Sequence, residues 1–312
     1  MTESETLRRA LQLARAKGLG PRTAHLLLTR VSLEEIDRLG VPALVARGLP
    51  RRIAEALRAP GLEREAREEL RAVREAGDAL LHWQGSGYPA ALRSIYDPPL
   101  VLAVRGGLLA SDARAVAIVG ARRATPAGRE IAHRLGFDLA ASGVVVVSGM
   151  ARGIDQAAHR GALEAGGRTL AVLGCGLGVD YPAGRLARQL AARIAAHGAL
   201  LSEFAPLQGP SKFTFPQRNR IVAGLSLGVV VVEASATSGA LITADFALQS
   251  GRELFAVPGS VLDPLSRGPN GLLKDGAHVV ESAADVLEVL FGVECPALVT
   301  AEDEQEELSE AQ

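Results

Sequence analysis

Ser211-Lys212-Phe213-Thr214-Phe215-Pro216-Gln217-Arg218-Asn219-Arg220 gathers three cations and two phenylalanines into ten residues, in a chain with only seven phenylalanines. Cations interleaved with rings suit a single strand of nucleic acid, because charges follow the phosphates and ring faces stack on unpaired bases. The same rings could equally anchor a following helix, so one of Phe213 and Phe215 is expected in the core and the other exposed. Arg220 and Ile221 enter that helix and read as structural. Lys212 has added weight because the chain holds 31 arginines and only three lysines, Lys17, Lys212 and Lys274. A lysine kept in such a chain hints at a site needing a compact point charge.

Other chemistry-bearing residues fall in glycine-containing turns. Gly120-Ala121-Arg122-Arg123-Ala124-Thr125-Pro126 offers two cations beside a proline suited to a first helical turn. Ser148-Gly149-Met150-Ala151-Arg152-Gly153-Ile154-Asp155 carries two glycines and a small alanine. That pattern is expected to leave backbone amides uncovered next to a helix N-terminus, where an anionic phosphate would sit. Glycine there also serves plain turn chemistry. In Glu233-Ala234-Ser235-Ala236-Thr237-Ser238-Gly239-Ala240-Leu241-Ile242-Thr243, Ser238 and Thr243 suit either a phosphate or a helix cap, and capping is expected of at least one. Glu233 is expected to orient an arginine through a salt bridge, with a catalytic role as the alternative. Val257-Pro258-Gly259-Ser260 and Asn270–Ala277 read as loop architecture. Neither a nucleophile elbow nor paired metal ligands appear, and His133, His159 and His197 lie on expected helices.

These turns need elements to hold them. Short apolar, β-branched runs at 116–120, 144–147, 169–173, 199–202, 227–232 and 253–257 alternate with helical segments near 126–142, 153–165, 184–197, 216–225 and 240–250. Such alternation predicts a doubly wound, mostly parallel Rossmann-like sheet, an α/β domain whose ligands bind beyond the carboxyl ends of the strands. A short strand at 100–104 precedes it and a helix at 283–290 closes it. Residues 1–75 have helical periodicity broken at Gly18-Leu19-Gly20-Pro21 and Gly48-Leu49-Pro50. They are expected to form a small all-α accessory domain, the first break resembling a helix-hairpin-helix turn. The α/β domain then spans 76–292, and 293–312 is an acidic, solvated tail.

The net charge of −1 hides a division, because residues 294–312 hold seven acids and no base, leaving 34 basic and 28 acidic side chains elsewhere. A body so mildly basic requires a local nucleic-acid site rather than a global field. Cys175 and Cys295 lie far apart with no CxxC or Cys/His cluster, so neither disulfides nor zinc are expected. GxGxxG is missing, and no cofactor or metal is expected. The start lacks an apolar signal segment and no run approaches the roughly 18 apolar residues of a membrane span, so a cytoplasmic protein is expected.

Taken in order, Gly120-x-Arg122, Ser148-Gly149-x-Ala151-x-Gly153-Ile154-Asp155, Gly174-Cys175-Gly176 with Asp180-Tyr181-Pro182, Phe215-Pro216-x-Arg218-Asn219-Arg220-Ile221, and Ser238-Gly239 through Thr243-Ala244 and Gly251-Arg252 to Val257-Pro258-Gly259 closely resemble the DprA/Smf family. The Tyr88-Pro89…Pro98-Pro99 connector matches too, so the resemblance covers roughly residues 76–290. It implies a non-enzymatic homodimer that binds and protects single-stranded DNA during natural transformation and promotes loading of the RecA recombinase. The family's pocket residues carry over to Arg122, Lys212 and Phe215. Combined with the loop chemistry, DNA contacts are expected from Gly120, Arg122, Arg123, Ser148, Gly149, Arg152, Gly153, Lys212, Phe215, Arg218, Asn219, Ser238 and Gly239. Many relatives add a C-terminal winged-helix module, and here the acidic tail is expected in its place. A second resemblance, to LOG-type nucleoside-monophosphate phosphoribohydrolases, would pair Glu233 with Arg122 in catalysis, but the PGGxGT run is replaced by Ala236-Thr237-Ser238-Gly239-Ala240. A dinucleotide-dependent oxidoreductase is disfavoured by the missing GxGxxG.

Overall fold

The computed structural model describes residues 2–292; the acidic tail and Cys295 lie outside the described residues. Six helices come first: α1 (Glu3–Arg15), α2 (Pro21–Leu28), α3 (Leu33–Arg38), α4 (Val41–Ala46), α5 (Arg51–Ala56) and α6 (Leu62–Glu75). Their starts follow local chemistry. Thr2 caps α1, Ser32 and Glu35 close a reciprocal capping box on α3, and Pro21 occupies the first turn of α2.

Among the described residues nine strands then build one sheet in the order β1-β2-β6-β5-β4-β3-β7-β8-β9. Strands β1 (Ala79–His82) and β2 (Val101–Gly106) flank the short helix α7 (Ala90–Arg93). Next come β3 (Ala115–Val119), α8 (Pro126–Ala141), β4 (Val145–Ser148), α9 (Ile154–Glu164), β5 (Thr169–Val172), α10 (Arg185–His197) and β6 (Ala199–Ser202). The chain continues through α11 (Thr214–Leu225), β7 (Gly228–Val231), α12 (Gly239–Gln249), β8 (Glu253–Ala256), α13 (Arg267–Lys274), β9 (His278–Val279) and α14 (Ala283–Phe291). Strands β3 to β9 pair in parallel, whereas β1 and β2 form an antiparallel margin joined to β6.

Residues of β3 alternate between the two faces, as the period of a strand requires. Ala115, Ala117 and Val119 meet the layer containing α7, α11 and α12, while Val116 and Ile118 meet α8, α9 and α14. The N-terminal helices share a third apolar cluster with α10 and that side of β2, β5 and β6. Among the described residues no helix is long and apolar enough to cross a membrane.

Several expectations need correction. Helix α11 begins at Thr214, before the proline, so Phe215 lies within its first turn rather than in a loop. Part of the stretch 270–277, expected as loop, belongs to α13, Arg267–Lys274, with Pro269 in the first turn where its missing N–H costs no hydrogen bond. Strands β1 and β9 were not anticipated; both are short and lie at sheet edges.

Candidate nucleic-acid interface

From β3 the chain winds outward through β4, β5 and β6, then crosses back to place β7 on the other side of β3. This reversal splays apart the loops leaving β3 and β7, and a crevice opens beyond their carboxyl ends. A cavity of about 240 Å³ lies there, lined by Gly120 and Arg122 after β3, Ala151 and Asp155 after β4, Arg218, Asn219 and Val222 of α11, and Ser238 to Ala240 with Thr243 of α12.

Four cations at or near this edge, Arg122, Arg123, Arg152 and Lys212, are exposed. Among the described residues none has a carboxylate partner within ion-pair distance. Arg122 lays its guanidinium over the Phe215 ring, 4.4 Å from the centroid. That ring is half-buried, lies 5.3 Å from Tyr181, and rests so close to Gly174 that a Cβ there would sit 2.8 Å from Phe215 Cδ1. Phe213 is the exposed ring, at 73 %, with Lys212 Nζ 5.1 Å above it. The division between the two rings is therefore softer than expected, since Phe215 is covered by its neighbours without entering the core.

Arg218 is only 5 % exposed, although it lines the cavity. Its Nη1 donates to the Val172 carbonyl at 3.0 Å, while Nε has no partner. Burial lowers the pKa of Arg218, and the facing charge of Asp155 opposes that shift. A Cβ at 149 would lie 1.3 Å from Arg218 Nη1, so a larger residue there would displace the guanidinium.

Two amides of the glycine loop after β4 are taken within the chain. One oxygen of Asp155 accepts from Gly149 N at 3.1 Å and from Ala151 N at 3.2 Å, so the phosphate cradle expected there is filled by the chain's own carboxylate. Burial pushes the Asp155 carboxyl up, against the opposing charges of Arg218 and Arg122 and the two amides. Ser148 is fully buried and donates to the Ile118 carbonyl at 2.6 Å, which removes it from any DNA-facing surface. Gly153 adopts φ +88° and packs so closely that a Cβ would meet the Ala121 carbonyl at 2.3 Å. Its role is the close approach of two loops.

Among the described residues Glu233 has no arginine partner within ion-pair distance, contrary to expectation. Its carboxylate accepts from Thr125 N at 2.9 Å and from Thr125 Oγ at 2.5 Å, and Thr125 in turn caps α8 by accepting from Gly128 N. The acid thus braces the base of the loop that carries Arg122 and Arg123. Ser238 caps α12, accepting from Ala240 N at 3.3 Å, and Asn219 ties α11 to α12 by donating to the Gly239 carbonyl at 3.1 Å. Two site residues escaped the sequence reading. Asp155 closed a quoted motif, and its position at a helix start after glycines was the available signal. Tyr181 stands in a motif that carries the family resemblance, but its contact with Phe215 joins two distant segments and no spacing along the chain foretells it.

The family model for DNA recombination-mediator protein A matches residues 79–291. The DNA processing protein DprA of Bacillus subtilis is 45% identical over 222 residues, covering 71% of this chain and 74% of the relative. The X-ray structure of DprA from Streptococcus pneumoniae superposes with a TM-score of 0.74 at 34% identity, covering 93% of this chain and 98% of that one. DprA from Helicobacter pylori, whose structure is described for its single-stranded DNA binding mode, superposes with a TM-score of 0.61 at 31% identity over 69% of this chain and 96% of that one. The order of motifs along the sheet, the crevice they surround and these likenesses agree, and the chain belongs to the DNA recombination-mediator protein A family, the DprA/Smf DNA-processing proteins.

Proposed function

We propose that this protein binds single-stranded DNA along the carboxyl edge of its sheet, without catalysing a reaction on it, and as a homodimer passes the strand to RecA during transformation. The observation that carries this reading is the pairing of exposed cations that have no carboxylate partner among the described residues with rings at this edge, Arg122 over Phe215 and Lys212 over the exposed Phe213. Cations there attract phosphates, and the rings offer faces to bases that a duplex keeps stacked inside itself. The single-strand binding described for the Helicobacter pylori relative supports it. Glu233 and Arg122 are both engaged elsewhere, one on Thr125 and the other on Phe215, which speaks for binding rather than glycosidic cleavage.

Fluorescence anisotropy with labelled single-stranded and duplex DNA, at low and physiological salt, tests the reading. Single strands are expected to bind more tightly at both, with duplex affinity falling away as salt rises, because duplex contacts are almost wholly electrostatic. Equal affinities at physiological salt overturn it. Release of free base from a nucleoside monophosphate would instead establish an enzyme, and RecA nucleation on protein-coated single strands tests the hand-over.

A further inference from the structure

We propose that the single-strand track continues past the cavity, across the seam between α11 and α2, onto a second aromatic–cation surface formed by Lys17, Arg22 and Tyr96. This rests on the reading of the first site as a single-strand binder.

Tyr96 is 64 % exposed, and the Arg22 guanidinium lies 4.5 Å from its ring centroid. Lys17 and Arg22 bracket the Gly18–Pro21 hairpin turn, and both are exposed. Among the described residues neither has a carboxylate partner within ion-pair distance. The pair repeats the chemistry of Lys212 over Phe213, a cation above an accessible ring, which is the combination a flexible polyanion with unpaired bases recognises. Lys17 is also one of only three lysines kept in an arginine-dominated chain, as is Lys212.

The two surfaces adjoin. A cavity of about 330 Å³ lies between them, lined by Arg15, Gly20 and Pro21 on one side and by Glu203, Gln208 and Gln217 on the other. Phe213 immediately precedes α11 and its carbonyl accepts from Gln217 N at 3.3 Å, which places both at the start of that helix. Arg220, a further turn on, pairs with Asp97 at 3.1 Å, immediately beside Tyr96. His25 of α2 is bound to the Pro98 carbonyl at 2.8 Å, which holds the hairpin and the Tyr96 segment as one body. The acids of the seam do not oppose a strand: Asp97 and Glu203 are held by Arg220, and Glu69 by Arg15. The exposed glutamines supply neutral donors and acceptors suited to base edges.

The test uses the full chain and oligothymidines of about 5 and about 25 nucleotides, lengths chosen to fill one or both surfaces. Wild-type protein should bind the longer strand far more tightly. Combined Arg22→Ala and Tyr96→Ala substitution should narrow that gap about tenfold, and reduce the salt slope for the long strand by about 0.7 through loss of one phosphate contact. Lys212→Ala should weaken both lengths. Photocrosslinking of a halogenated long oligomer should mark Tyr96. A double variant whose affinity and salt slope for the long strand match wild type, or an absence of crosslinking at Tyr96 in the wild-type chain, overturns the second surface while leaving the first. A wild-type chain that binds neither length overturns the underlying reading as well.

Discussion

Lys212, Phe213 and Phe215 lie within four residues of one another yet meet their surroundings differently, and mutation separates them. Lys212 is exposed, with its Nζ 5.1 Å from the Phe213 ring centroid. Lys212→Ala should weaken single-strand binding and make its log–log salt dependence shallower by about 0.7, one phosphate contact's worth. Phe213→Ala should weaken binding by about 1–3 kcal/mol with the slope unchanged, since stacking releases no counterions. Its melting temperature should not move, because the ring is already in solvent. Phe215→Ala should affect both properties. The ring supports Arg122 and packs against Tyr181, so its loss lowers the melting temperature, by less than the roughly 3–5 kcal/mol of a fully buried phenylalanine. Titrations at several salt concentrations beside thermal melts read all three variants. An unchanged slope for Lys212→Ala would remove the lysine from the site.

Between elements, the site depends on how closely helices and loops approach one another. Helices α8 and α9 pack through glycines, with a Cβ on Gly161 lying 2.0 Å from the His133 carbonyl and one on Gly136 lying 2.4 Å from that of Ala158. Helix α8 follows the loop that carries Arg122, and Asp155 stands in the first turn of α9, so the approach of the two helices fixes these residues relative to each other. Gly161→Ala should destabilise the fold by about 1–3 kcal/mol, the typical cost of overpacking. Urea unfolding checks this, and a variant as stable as wild type would mean the helices part without cost. The brace from Glu233 to Thr125 acts in the same way, fixing the start of α8 and with it the loop above.

The whole molecule carries buried charge whose response to pH can be given a sign. His159 is fully buried, with Nδ1 2.7 Å from the Thr169 hydroxyl, and burial pushes its imidazole down to about 3. The unfolded chain takes up this proton near 6.5 and the native chain does not. The neutral imidazole therefore favours the fold above pH 6.5, and that contribution is lost as pH falls toward 3. Between pH 7 and pH 5 the loss should be about 2 kcal/mol. Asp97, Asp155 and Glu203 run the other way, since burial raises all three carboxyls and their contribution diminishes as pH rises. The difference between wild type and His159→Gln isolates the imidazole. Chemical denaturation at pH 7 and pH 5 should give the variant the weaker acid destabilisation, and parallel curves would refute the assignment.

Sequence alone determined the order of strands β2 to β8 and of the helices α8 to α12 among them, because a short β-branched run and a helix-length segment differ in period whatever surrounds them. It also located the loops around the crevice, since in a doubly wound sheet every such loop leaves a strand at the same edge. What it left open were the contacts between distant segments. That Asp155 fills the amides after β4, that Glu233 turns to Thr125, and that Arg218 is buried against Val172 each depends on where a second loop comes to rest. Spacing along a chain sets which residues share an element. Only the packed sheet brings β3, β4, β5 and β7 side by side, and only there is a donor's nearest acceptor decided.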